Sequence, residues 1–132
     1  MAFTAGLKIL PGYPNQVGEK NQIIFDRTGP TSYVRYVTGT TPTGGDIIKA
    51  TGGGLNFGGF DNIDDTVDST CQVQANVCMD LGGIGNSVPQ VTIKYYSLVT
   101  ATLGGQSQTA NTEIAAGTNL SQFSFRFECY MV

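Results

Sequence analysis

One short stretch, DNIDDTVD, concentrates the acidic side chains of this chain: Asp61, Asp64, Asp65 and Asp68. Oxygen ligands spaced along a loop are what a hard cation such as calcium prefers, although this spacing does not follow the EF-hand pattern. A paired-carboxylate hydrolase needs two acids held across a sugar-sized cleft, and neighbours within one loop give no such separation. A solvated loop is the simpler reading, with a cation site as its alternative. Histidine is absent, which rules out Ser-His-Asp and Cys-His arrangements and denies a zinc hydrolase its commonest ligand. The expectation is a protein that is not an enzyme, with no catalytic residue and no metal or other cofactor.

The glycine series GGGLNFGG lacks both the Gly-Lys-Ser/Thr run and the following helix that cradle a phosphate, so it reads as folded or flexible backbone. Tyr33, Tyr36, Tyr95, Tyr96 and Tyr130 could stack on the apolar faces of sugars, but they fall in strand-like stretches where packing or subunit contact also explains them. Cys71, Cys78 and Cys129 are odd in number. Cys71 and Cys78 have opposite parity in one apparent strand and should point to opposite faces, so the simplest reading is small buried thiols. A cross-link from Cys78 or Cys129 to another thiol-reactive partner, left open by the sequence, is the alternative.

A length of 132 residues suits a single domain. Charged residues are 13% of the chain, about half the usual share. With few Lys and Glu and with 18 glycines, the chain is poor in helix formers and rich in residues of strands and turns. The formal net charge is −3, and the cations Lys8, Lys20, Arg27, Arg35, Lys49, Lys94 and Arg126 are scattered. Nucleic-acid binding, which needs clustered cations, is not expected. No apolar run is long enough to span a membrane, and neither a leader nor a lipidation pattern is visible.

Residues 1–20, with Pro11 and Pro14 and little periodicity, read as an extended arm that docks on its own body or on a neighbour. Residues 21–132 read as the β-rich domain. Within it, an apolar strand ends at Asp26, and a Gly29-Pro30 turn leads into a second strand through Tyr33, Arg35 and Val37, as in a hairpin. The glycine-rich stretch that follows, to about residue 68, reads as a long irregular excursion. In TCQVQANVCMDL, Cys71, Val73, Ala75, Val77 and Met79 share one face. A further long strand begins at Val91 and runs past Val99, with its second face covered near Tyr96 and Leu98. Residues 106–114 read as a polar strand. A turn at Ala116–Asn119 then leads to Phe123, Phe125, Phe127, Cys129 and Met131 facing inwards. Burying the three phenylalanines is worth on the order of 5–8 kcal/mol relative to exposure. A last strand that keeps its pattern to Val132 is expected to pair inside its own sheet, or else to close an oligomer through Tyr130 and Val132. The fold class expected is all-β: an antiparallel β-sandwich, jelly-roll-like or barrel-like single domain with an extended N-terminal arm.

The arm GLKILPGYPNQ, the segments GGDII and GFDN and the patterned terminal strand together resemble small β-rich virion proteins of tailed bacteriophages, especially capsid decoration or cement proteins. The resemblance implies a non-enzymatic protein, frequently a homotrimer, made in the host cytoplasm. It would sit on the capsid surface of the virion across joints between major capsid protein subunits. It makes Phe3, Leu7, Ile9, Leu10, Tyr13 and Val17 candidates for capsid contact, and Tyr130 and Val132 for capsid or subunit contact. Two other readings stand beside it: a carbohydrate- or receptor-binding β module, motivated by the tyrosines and the acidic stretch, and a phage tail or connector component.

Overall fold

The structure is a computed structural model that describes residues 2–3, 7–38, 43–51, 60–64, 66–80 and 90–131. Among them there is no helix. The strands are β1 (Ala2–Phe3), β2 (Leu7–Ile9), β3 (Asn15–Val17), β4 (Lys20–Thr28), β5 (Asp46–Thr51), β6 (Phe60–Ile63), β7 (Thr66–Val67), β8 (Val73–Asp80), β9 (Gln90–Ser97), β10 (Ala101–Leu103), β11 (Gln106–Gln108), β12 (Thr112–Glu113) and β13 (Ser124–Met131). They form two antiparallel sheets and a small hairpin. The first sheet runs β1-β5-β9-β8-β7, with β12 also on β9, and the second runs β2-β4-β13-β6, with β3 also on β4. Neither closes into a barrel, so the all-β expectation is met by a sandwich-like domain.

Alternation decides which side of each strand is dry. In β4 and β13 the inward residues Ile23, Phe25, Phe125, Phe127 and Cys129 are buried. They meet Ile48, Val73, Ala75, Val91, Ile93 and Tyr95 of the first sheet in one core cluster. The Tyr95 and Phe125 rings lie 4.9 Å apart across the sandwich. The terminal strand is interior to its sheet: β4 pairs along it from Ser124 to Met131, and β6 takes the other side at Cys129–Met131.

Successive strands change sheets at both sides of the sandwich. At the N-terminus, β1 pairs with β5 in the first sheet, whereas β2 pairs with β4 in the second. Across the molecule, β6 pairs with β13 and β7 with β8. Within the segment 1–20, β1, β2 and β3 each pair with a strand of the rest of the chain. β2 lies beside Phe25–Arg27 and β3 beside Lys20–Gln22, end to end along one side of β4.

Several expectations change. There is no hairpin through Gly29-Pro30, because β4 already has strands on both sides. The chain instead turns towards the 115–123 segment, where Leu120 N donates to Pro30 O at 2.8 Å and Gly29 N to Phe123 O at 3.0 Å. Tyr33 N then donates to Thr118 O at 2.9 Å, and the Tyr33 carbonyl accepts from Gly117 N at 2.8 Å. A Cβ on Gly29 would lie 2.6 Å from the Leu120 Cβ, so the close approach requires glycine. The excursion to residue 68 contains β5, β6 and β7, although 52–59 lie outside the described residues. The long strand after Val91 stops at Ser97, where Leu98 N donates to Gln72 O. The chain resumes as the β10-β11 hairpin, whose two-residue turn has positive φ at Gly104 (58°) and Gly105 (83°). That Gly-Gly pair is the strongest short hairpin signal in this part of the sequence.

Cys71 also departs from its expected face: it is exposed, precedes β8 and has φ 57°. Asp68 explains the bend. Its buried carboxylate accepts from the backbone N–H of Thr70 (2.8 Å), Gln72 (3.1 Å) and Val73 (2.6 Å), and from the Thr70 hydroxyl. Local bonding of this kind competes with strand pairing and delays the start of β8.

Candidate functional site

The chemistry that the fold gathers lies in two places, one sealed and one open. The sealed one bridges the sheets. Arg27 points inwards from β4 and meets Asp46 of β5 through Nε to Oδ2 at 3.0 Å and Nη2 to Oδ1 at 2.6 Å. The Tyr95 hydroxyl donates to the same Oδ2 at 2.8 Å. The Arg27 and Asp46 side chains are 13% and 5% exposed, so this bidentate pair is a structural clamp rather than a site open to ligand. Burial first, and then the Asp46 charge, hold the Tyr95 phenol well above its ordinary range. A second clamp joins Tyr33 to β12: its hydroxyl donates to Glu113 Oε2 at 2.7 Å, and Tyr36 N donates to the same oxygen at 2.9 Å.

The open place is the outer face of the second sheet. Register sets rows across it: Lys8, Asp26 and Arg126 are cross-strand partners, as are Asn15, Gln22 and Tyr130. Arg126 Nε donates to Asp26 Oδ1 at 2.8 Å and Nη2 to Oδ2 at 3.3 Å. The Arg126 hydrogen bond holds the Asp26 carboxyl below its ordinary value. Gln22 Nε2 donates to the Tyr130 hydroxyl at 3.3 Å. Tyr130 is pushed upwards, first by a hydrogen bond to Glu128, then by lost hydration, then by the charges of Glu128 and Asp64.

Beside β13 this face falls into a groove. One end, about 330 Å³, is lined by Asp26, Val67, Ser69, Ser124 and Phe125. The other, about 360 Å³, is lined by Ile24, Asp64, Phe127 and Glu128. Thr66 and Arg126 line both, so the two ends are parts of one groove. It exists because the chain pairs with β13 only as far back as Cys129 and then leaves for the first sheet as β7. Its hydroxyls, ion pair and carboxylates suit a polar or extended ligand held by hydrogen bonds.

The candidate contact residues are spread along the second sheet and beyond it. Phe3 lies in the first sheet opposite Ala50, and Leu7 is opposite Arg27 in the second. Ile9 packs against the core. Leu10 and Tyr13 are half-buried, and Leu10 N donates to Ile24 O at 2.9 Å. Val17, 46% exposed, shares the outer face with half-buried Tyr130. Val132 lies outside the described residues, as does Asp65 of the acidic stretch. Of that stretch, Asp68 is filled by its own loop and Asp64 reaches the groove. Among the described residues no group of three Cys, Asp or Glu side chains is arranged to hold a metal. Sequence reasoning did not single out Arg126, Asp26 or Thr66. Alternation marks the first two as outward, but only the pairing of β4 with β13 makes them partners.

Comparison with protein-family models, with curated proteins and with solved structures finds no match for this chain.

Proposed function

We propose that the chain is a non-enzymatic structural protein of a phage virion that binds the outside of the capsid through the outer face of its second sheet and holds major capsid protein subunits together. The observation that carries this reading is the convergence of Val17 and Tyr130, from opposite ends of the chain, on one outward face with the Asn15, Gln22 and Tyr130 row. An exposed valine beside a row of polar side chains fits a docking surface in which apolar contact supplies affinity and hydrogen bonds supply register. A homotrimer would present three such faces and gain avidity on a repeating lattice. Binding only the assembled shell stabilises it by mass action.

The test is co-sedimentation of the full chain with undecorated shells from the same source, followed by thermal disruption of the shells. The expected result is saturable binding and a higher disruption temperature, both reduced by Val17→Asp. Because Val17 is exposed, that variant should keep its fold. A chain that neither sediments with shells nor changes their stability refutes the reading.

A further inference from the structure

The outer face of the first sheet carries a row of polar and aromatic side chains. Gln74 of β8, Tyr96 of β9 and Glu113 of β12 are cross-strand neighbours, so register puts them on one face. They alternate with the buried Val73, Ala75, Tyr95, Ser97 and Ile114, and are themselves half-buried. The row crosses two strand spacings, about 10 Å. The segment 33–37 closes one end of it. Glu113 Oε2 accepts from the Tyr33 hydroxyl at 2.7 Å and from Tyr36 N at 2.9 Å. Lys94, two residues before Tyr96 on β9, places its Nζ 4.8 Å from the centre of the Tyr36 ring.

Hydrogen-bonding capacity selects the occupant. With Glu113 Oε2 filled, the Gln74 amide, the Tyr96 hydroxyl and Glu113 Oε1 make no hydrogen bond among the described residues. The amide and the phenol each donate and accept, and the carboxylate oxygen accepts. Adjacent sugar hydroxyls need that mixture of donors and acceptors, and an aromatic ring between them covers the apolar C–H face of a sugar ring. An anion finds less. Lys94 rests on the Tyr36 ring, and Arg35 donates through Nε to Ile114 O at 3.1 Å and through Nη2 to Glu113 O at 3.0 Å. The row holds no aliphatic side chain, so a protein partner would lack the apolar centre that a stable interface dries.

We infer that the row Gln74, Tyr96, Glu113 is a binding site for a short neutral oligosaccharide. Tyr96, at the centre, stacks on one sugar ring, while Gln74 and Glu113 Oε1, on either side, hold hydroxyls of that ring and its neighbour. The bonds that Tyr33 and Tyr36 N make to Glu113 Oε2 fix the carboxylate before the sugar arrives, which lowers the ordering cost of binding. This inference does not rest on the capsid reading: it concerns the first sheet, whereas Val17 and Tyr130 lie on the second.

The experiment is a nuclear magnetic resonance titration of the isotope-labelled full chain with maltotriose, cellotriose and chitotriose, each raised to about 10 mM. The expected result is saturable amide shifts around Gln74, Tyr96 and Glu113 with at least one of the three, unchanged between about 0.05 and 0.5 M salt. Gln74→Ala, a surface change that should keep the fold, weakens binding by about 3- to 10-fold. Tyr96→Ala weakens it at least as much, and Val17→Asp leaves it at the parent value. No shift with any of the three sugars, shifts centred elsewhere, or binding indifferent to both Gln74→Ala and Tyr96→Ala would each overturn the proposal. So would tighter, salt-sensitive binding of a sulfated heparin oligosaccharide, since the site would then select charge.

Discussion

Replacing Asp46 with alanine leaves the Arg27 cation between the sheets without its bidentate partner. In the folded protein the two side chains are 13% and 5% exposed, and the contacts are 2.6 Å and 3.0 Å with a third bond from Tyr95 at 2.8 Å. Removing one member of such a buried pair costs about 3–5 kcal/mol, because the remaining charge is stranded away from water. A domain of this size is stable by about 5–15 kcal/mol, so the loss is about a fifth of the total or more. Tyr95→Phe removes one hydrogen bond to a charged group and should cost about 1.5–3 kcal/mol. The double variant Arg27→Met/Asp46→Leu strands no charge, so it should lie within about 2 kcal/mol of the parent and recover most of the loss in Asp46→Ala. Urea unfolding followed by tyrosine fluorescence and circular dichroism gives all the free energies needed for the comparison. An Asp46→Ala cost below about 1 kcal/mol, or a double variant as unstable as that single one, would refute the claim that this pair is a sealed inter-sheet clamp.

A Cβ on Gly44, whose φ is +78°, would fall on the Arg35 carbonyl oxygen, whereas Gly105 has φ +83° and open space. Gly105→Ala should therefore cost only the backbone strain, about 1–3 kcal/mol, and Gly44→Ala clearly more, by urea unfolding of both. Asp26 has its folded pKa depressed below 3.8, chiefly by the Arg126 hydrogen bond. The stability it contributes is complete above that ordinary value and is lost as pH falls through the lower folded value. Arg126→Gln should therefore narrow the stability gap between variant and parent below pH 4, measured by thermal melts across pH 2–6. Burial first, then the hydrogen bond to Glu113, raise Tyr33 above its ordinary range, and burial with Asp46 does the same for Tyr95. Both phenols favour the fold fully below their unfolded pKa near 10 and lose that contribution only as pH rises through the folded values. Absorbance titration of phenolate at pH 11 should thus register fewer than the six tyrosines of the chain until denaturant is added.

The sequence by itself determined the class of fold and the dry side of its best strands. The alternation in FSFRFECYM and the Ile23, Phe25 spacing require a sheet face that is apolar every second residue, and Ile23, Phe25, Phe123, Phe125, Phe127 and Cys129 are found buried. The hairpin turn at Gly104-Gly105 went unread, because the apolar pattern after Val91 reads as one long strand, although two successive positive φ angles favour glycine. What only the tertiary structure decided was pairing. Periodicity says which face a strand buries but not which strand lies beside it, since any antiparallel neighbour satisfies the same pattern. The Gly29-Pro30 hairpin failed on that point: local turn signals favoured it, but β13 and the β2 and β3 segments held both sides of β4. The groove was hidden for the same reason. Asp26 and Arg126 become an ion pair only through β4–β13 register, and Thr66 reaches Arg126 only because the chain leaves one sheet for the other after Ile63. Residues distant along the chain meet through long-range hydrogen bonding and burial, whose energies depend on the whole assembled core and leave no local mark.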